Sequence, residues 1–355
     1  METPSVSGSE AAVAKLIKEH MDELGFGSSI DAAGNVVGER GAGSPRVLLC
    51  GHMDTVPGGP PAKYGDGILT GRGSVDAKGP LAALIMGGAL AAEAGFTGSL
   101  TVVGVVEEER RNTGIKELIR QGIEADYAVF GEPTNTNTIT LGYKGSALIK
   151  AEVRTEPGHS SAPWLYINAI EKGMELFQAM KRGATSLTEE KEGINALTAS
   201  IRQIEGGEGC GKIPSLCQIW VEFRLPSGTT TGELVEAVNH SVAEFSRVND
   251  GARVDVEVVE KVEPYVADNR NVLVKAFTRS IYRQTGDKVK LVKKSGTGDM
   301  NYYGAETGIP CITYGPGDPH LDHTDDEHIM VGDYLRGIEI IKQALQSLSG
   351  LHAKQ

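Results

Sequence analysis

Three apolar runs near the start of the chain each end in side chains that a buried strand cannot use for packing. VLLC at 47–50 leads into His52 and Asp54, SLTVVGVV at 99–106 ends in Glu107, Glu108 and Glu109, and ADYAVFGEPT at 125–134 delivers Glu132. Apolar runs without polar alternation are the pattern of strands buried on both faces, which places them in a largely parallel sheet covered by helices. In open sheets of that kind, ligands bind at the carboxyl ends of the strands. His52 and Asp54 are alternate residues, so in an extended chain they share one face. Three adjacent carboxylates repel one another unless a cation sits among them, although acidic residues also suit a solvated helix start. A fourth acidic position, Asp76, lies in the glycine-rich turn GRGSVDAKGP at 71–80, ahead of an Ala/Leu-rich helical run. An imidazole and two carboxylates on short connections supply the rigid nitrogen and oxygen donors a divalent metal needs.

A chain of 355 residues is too long for one ordinary core, so one large and one small domain are expected. Hydrophobic residues make up 40% and charged residues 23%, the balance of a soluble globular protein. No apolar run reaches the ~20 residues of a membrane helix, and METPSVSGSE lacks the regions of a signal peptide. Cys50, Cys210, Cys217 and Cys311 show no CxxC spacing, which fits a reducing cytoplasm rather than a disulfide framework. A formal charge of −12 argues against general nucleic-acid binding.

Taken in order, Ser9 is expected to cap a helix carrying Val13, Leu16, Ile17, Met21 and Leu24 and ending at Gly25. IDAAGNVVG at 30–38 reads as a hairpin turning at Gly34-Asn35. From 144 to 261 the texture changes to four strands of period two separated by two helical stretches, an inserted α+β domain compatible with a ferredoxin-like layout. The first domain is then discontinuous, 1–143 and 262–355. Within the insert, Gly206 to Lys212 mimics part of a phosphate-binding loop, but Ile213 stands where Ser or Thr is required, and no nucleotide site is expected. SGTGDMN at 295–301 is a glycine-rich turn before a helix, and YLRGIEIIKQALQSL closes the chain as an amphipathic helix. Between them comes HLDHTDDE at 320–327, where the pattern Thr324-x-x-Glu327 predicts a helix starting just after His323.

GHMDTVPG followed by GRGSVDAKGP resembles the M20 family of co-catalytic zinc peptidases and deacylases, and the resemblance spans nearly the whole chain. It implies an α/β catalytic domain of zinc-peptidase type, with a central mixed, mostly parallel sheet, and an inserted domain that serves as a lid and dimerisation module. On the family's register Glu108 matches the general base, while His52, Asp76, Glu109, Glu132 and His323 match the metal ligands, with His320 as the rival to His323. Five protein ligands are too many for one tetrahedral zinc, and they suit two metals if Asp76 bridges them. Asp54 then sits behind His52, accepting its N–H and fixing its tautomer. The absence of cysteine ligands favours Zn²⁺, Co²⁺ or Mn²⁺. His159 in GHSSAP matches the residue that stabilises the oxyanion in a partner subunit, Arg224 in EFRLP matches the arginine that grips a substrate carboxylate, and Thr297 and Asp299 line the substrate site. Where the family usually has Asn, this chain has Gly211.

The chemistry so implied is hydrolysis of an amide bond by a homodimeric, cytoplasmic enzyme. Within the family, GRGSVDAKGPLAA and SGTGDMN look most like hydrolases that release lysine or ornithine from an acidic amino-group carrier protein, finishing lysine or arginine biosynthesis. Deacylases of acetylornithine or succinyl-diaminopimelate, and M20 dipeptidases or carboxypeptidases, are the alternatives. Lys288, Lys290, Lys293 and Lys294 are candidates for a local basic surface toward an acidic partner. A relative that keeps the fold without the chemistry has nothing to support it, since every ligand position and the base are present.

Overall fold

The computed structural model describes residues 1–354 except 208 and 210. Its chain divides into two compact units. The first comprises Met1–Gly142, Val266–Lys293 and Gly298–Gln355, and the second Tyr143–Tyr265 with Lys294–Thr297.

The first unit is built on a mixed sheet, nine-stranded among the described residues. Arg46–His52 lies between Ser99–Val105 and Tyr127–Phe130 and is parallel to both, and Cys311–Thr313 runs parallel to Tyr127–Phe130 on its other side. The apolar runs occupy these inner positions because their side chains face protein on both sides. Leu48, Leu49 and Val102 are wholly buried, each burial contributing about 2 kcal/mol. Toward one edge, Gly27–Ile30 and Val36–Gly41 form the expected hairpin, with Ile30 opposite Val36. The helix Lys78–Glu93 is buried along almost its whole length, packed on the sheet and against the closing helix Val331–His352. That placement explains its composition, which is apolar on nearly every face. The strand ends carrying His52, Glu107–Glu109 and Glu132 all emerge at one end of the sheet, because parallel neighbours share direction.

The second unit has four antiparallel strands in the order Thr198–Gly206, Leu216–Leu225, Gly145–Arg154, Arg253–Val262. With helices Ala169–Thr185 and Thr231–Val248 between strands, this is a ferredoxin-like β-α-β-β-α-β order. Buried and half-buried residues alternate strictly along Leu216–Leu225, so one sheet face meets the helices. Thr230 and Glu233 form a reciprocal capping box that starts the second helix. Gly206 ends its strand and Lys212–Ile213 pairs with Gly158–His159, while Glu208 and Cys210 of the phosphate-loop mimic lie outside the described residues.

Two local expectations are overturned. The first helix is Ala11–Glu23, preceded by Glu10 rather than capped by Ser9, because Glu10 turns inward and its Oε1 accepts from Gly8 N and Glu107 N. No helix starts directly after His323 either. Residues 322–327 are turns leading into the strand His328–Met330, the Thr324 hydroxyl donates to Leu321 O, and Glu327 is fully buried.

Candidate metal centre

All five sequence-assigned ligand positions lie in the first unit, and Asp76 is at their middle. Its Oδ1 lies 3.1 Å from His52 Nε2 and its Oδ2 lies 2.9 Å from His323 Nε2. Glu132 Oε1 is 3.6 Å from His52 Nε2, and Glu109 Oε1 is 2.8 Å from His323 Nε2. The centre therefore has two halves, each with one imidazole and one carboxylate of its own, sharing the carboxylate of Asp76. Single donor atoms of His52, Asp76 and Glu109 come within 4.8 Å of one another, a grouping able to hold a metal ion. His323 takes its place with a left-handed backbone, φ +61°, and His320 is exposed on the short turn Pro319–Leu321.

The imidazole of His52 is oriented from behind. Its Nδ1 lies 3.0 Å from the Asp54 carbonyl oxygen, which can only accept, so Nδ1 carries a proton and Nε2 faces the carboxylates. The Asp54 carboxylate is farther from the ring, with Oδ1 at 3.4 Å from Nδ1. Its main partners are others: Oδ1 accepts from Glu108 N at 3.1 Å, and Oδ2 accepts from Glu109 N at 3.1 Å and the Ser7 hydroxyl at 2.7 Å. One buried carboxylate thus pins the backbone at Glu108 and Glu109, while Glu10 holds Glu107. Asn112 Nδ2 closes that turn by donating to Glu108 O, and the Tyr302 hydroxyl donates to Asn112 Oδ1. Asn35 braces the preceding residues, its Oδ1 accepting from Val106 N and its Nδ2 donating to Gly114 O.

The electrostatics favour a cation. Burial opposes the charged form of His52, but Glu132, Asp54 and Asp76 outweigh it and raise its pKa well above the usual imidazole value. His323 is pushed up to about 9, chiefly by its hydrogen bond with Asp76. Burial also opposes ionisation of Asp76, yet His323 and His52 hold it well below the usual carboxylate range. Burial raises Glu109, and the nearby Asp76 adds to it. A site whose carboxylates retain protons on two imidazoles is one in which a divalent cation can replace those protons.

Glu108 stands apart from the ion pairs. Desolvation pushes its pKa well above the usual carboxylate value, with Asp299, Glu132 and Glu109 contributing through like charge. Gly298 lies beside it, a Cβ there falling 3.8 Å from Glu108 Oε1. The next residue, Asp299, is 5% exposed at the start of the helix Asp299–Thr307, and its Oδ1 is buried with no hydrogen-bond partner among the described residues. Burial raises its pKa to about 7. An acid whose folded pKa exceeds its ordinary ~3.9 binds an extra proton in the folded state, so stability falls as pH climbs from about 4 to 7. In protein stripped of metal by chelator, Asp299→Asn is therefore expected to raise the melting temperature more at pH 8 than at pH 5, the full effect being on the order of 4 kcal/mol. An equal change at both pH values would contradict the raised pKa.

His159, Gly211, Arg224 and Thr297 belong to the second unit, and Lys288, Lys290 and Lys293 to the first. His159 is exposed with Nδ1 2.8 Å from Ser161 Oγ. Gly211 donates no side chain but has φ +86°, a left-handed conformation that Gly and Asn share readily, and its carbonyl accepts from Ser160 N. Arg224 Nη2 pairs with Glu222 Oε1 at 2.9 Å, while Nη1 is buried without a hydrogen-bond partner among the described residues. Thr297 is half-buried in the segment returning to the first unit. Among Lys288, Lys290, Lys293 and Lys294, the first three are exposed.

Residues 48–347 match the profile described as Peptidase family M20/M25/M40. A Pyrococcus abyssi protein provisionally named LysW-lysine/LysW-ornithine hydrolase is 34% identical over 350 residues, covering 99% of this chain and 92% of that one. A Deinococcus radiodurans protein named LysW-lysine hydrolase is 33% identical over 353 residues, covering 98% of this chain and 94% of its own. An M20 family metallo-carboxypeptidase from Sulfolobus solfataricus has the same fold, with a TM-score of 0.82 at 17% identity over 98% of this chain and 97% of that one.

Proposed function

The chain belongs to peptidase family M20/M25/M40, and from that premise we propose a two-metal amidohydrolase that releases lysine or ornithine from a carrier protein by cleaving an isopeptide bond. The observation that carries the two-metal part is the division of Asp76 between His52 and His323, with Glu132 and Glu109 flanking. These donors are nitrogen and oxygen only, suited to Zn²⁺ and also to Co²⁺ or Mn²⁺. The substrate part is supported by relatives about one-third identical over nearly the full chain whose names refer to LysW-linked lysine or ornithine. A homodimer joined through the second unit, working in the cytoplasm, completes the proposal. No helix among the described residues is long and apolar enough to cross a membrane.

A bound metal pair supplies Lewis acidity toward the scissile carbonyl and makes water a better nucleophile at neutral pH. Glu108 takes the proton from the attacking water. Its raised pKa suits a group that must hold this proton and then give it to the departing amine. Asp54 and Asn112 fix the turn that aims Glu108. In the proposed homodimer the oxyanion donor is His159 of the partner subunit; in this chain Ser161 engages Nδ1 of that imidazole, which leaves Nε2 to donate. The guanidinium of Arg224, steadied by Glu222, is the group proposed to grip a substrate carboxylate. Water adds across the amide, giving one carboxylic acid and one amine.

The substrate part is tested with metal-loaded enzyme on carrier-linked lysine, carrier-linked ornithine, acetylornithine and succinyl-diaminopimelate. We expect kcat/KM for a carrier adduct to exceed that for either small molecule at least tenfold. Equal or better turnover of a free acyl-amino acid would overturn the carrier assignment and leave a small-molecule deacylase.

A further inference from the structure

We propose that Glu327, braced by Arg72, is the positioning residue that sets Asp76 between the two imidazoles. This rests on Asp76 being a shared metal ligand, as put forward above. Glu327 comes four residues after His323, and the strand His328–Met330 that follows pairs antiparallel with Ile68–Thr70, His328 opposite Thr70. That register brings Glu327 beside the glycine-rich turn, where Gly71 N donates to Glu327 O at 3.1 Å. The side chain then enters the protein completely. Its Oε1 accepts from Val75 N at 2.9 Å and from Asp76 N at 3.1 Å, and its Oε2 meets Arg72 Nη1 at 2.6 Å.

A lone buried carboxylate is strongly unfavourable, so the charge at Glu327 needs its partner. Arg72 reaches it by lying across Gly58 and Gly59. Its Nε donates to Gly58 O at 3.3 Å, and a Cβ on Gly59 would fall 2.5 Å from that same nitrogen. The glycine pair is therefore the space Arg72 occupies. Charge-assisted bonds to two successive backbone N–H groups are stronger and more directional than neutral ones. They hold the backbone at Asp76 from the segment that also carries His323, so the two proposed ligands are tied to one another.

The test is Co²⁺ titration of metal-free protein, followed by visible absorption, alongside kcat, KM and melting temperature. For Glu327→Gln we expect Co²⁺ affinity to fall about 10–100-fold, the usual effect of losing a residue that orients a ligand. The absorption bands should shift, and kcat should fall more than tenfold with KM within about twofold of the parent. The double variant Arg72→Met/Glu327→Gln removes both charges of the pair and should melt no lower than Glu327→Gln while affinity stays low. Parent-like Co²⁺ affinity and spectrum in Glu327→Gln would overturn the inference, with Glu327→Ala as a harsher second variant if it folds. A parent protein that binds no Co²⁺ would instead overturn the metal reading itself.

Discussion

Glu108→Ala is expected to fold, to keep its metal and to lose about 10²–10⁴-fold in kcat, the range general acid–base catalysis supplies. Retention of fold follows from what holds this residue. Asp54 pins its N–H and Asn112 its carbonyl, both through the backbone, so truncating the side chain leaves the turn in place. Its carboxylate is held protonated by desolvation, with like charges adding to the effect and His52 opposing it, so removing it should leave the melting temperature unchanged or raise it. Retention of metal follows because the ligands are its neighbours, not Glu108 itself. Metal content, melting temperature and turnover on the same preparation check all three. Near-parent turnover with full metal would show that another group moves the proton.

Asp76→Ala should have the opposite signature: loss of metal first, and of activity with it. Its carboxylate contacts both imidazoles, so truncation opens both halves of the centre at once. We expect metal content well below the parent's at equal free Zn²⁺ and activity down at least about a thousandfold. Metal-free Asp76→Ala should also be less stable at neutral pH by on the order of 2–4 kcal/mol, because His52 is 1% exposed and loses a charged partner in the interior. Parent-like metal binding by this variant would mean that Asp76 is not a ligand. The two variants together separate proton transfer from metal binding, since one keeps the metal and the other does not.

The candidate site could be located from the sequence because its proposed ligands sit where strands stop. A buried parallel strand is a continuous apolar run, so the first polar side chain after it marks both the strand end and the functional edge of the sheet. His52, Glu109 and Glu132 carry that signal, and the motif around Asp76 supplies the fourth. Glu327 shows where such reading fails. Its spacing from Thr324 fits a capping box, yet here Glu327 is buried and bonded to Arg72 and to the backbone at Val75 and Asp76. Tertiary contact outweighed a local bond that would contribute about 1 kcal/mol. Ser7 and Glu10 were hidden for a related reason, since they lie in a polar segment with no period and gain their roles only from Asp54 and Glu107.

The chain by itself determined which side chains occupy the ends of the inner strands, because period and apolar runs are properties of neighbours in sequence. It also determined the change of texture at the second unit, where alternation replaces continuous burial. Only the tertiary structure decided how the proposed ligands are aimed. Asp76 is held by a carboxylate 251 positions away, and the acidic turn by one 54 and 55 positions away. A hydrogen bond across such distances leaves no trace in local pattern, for it depends on which strand lies beside which once the sheet has formed.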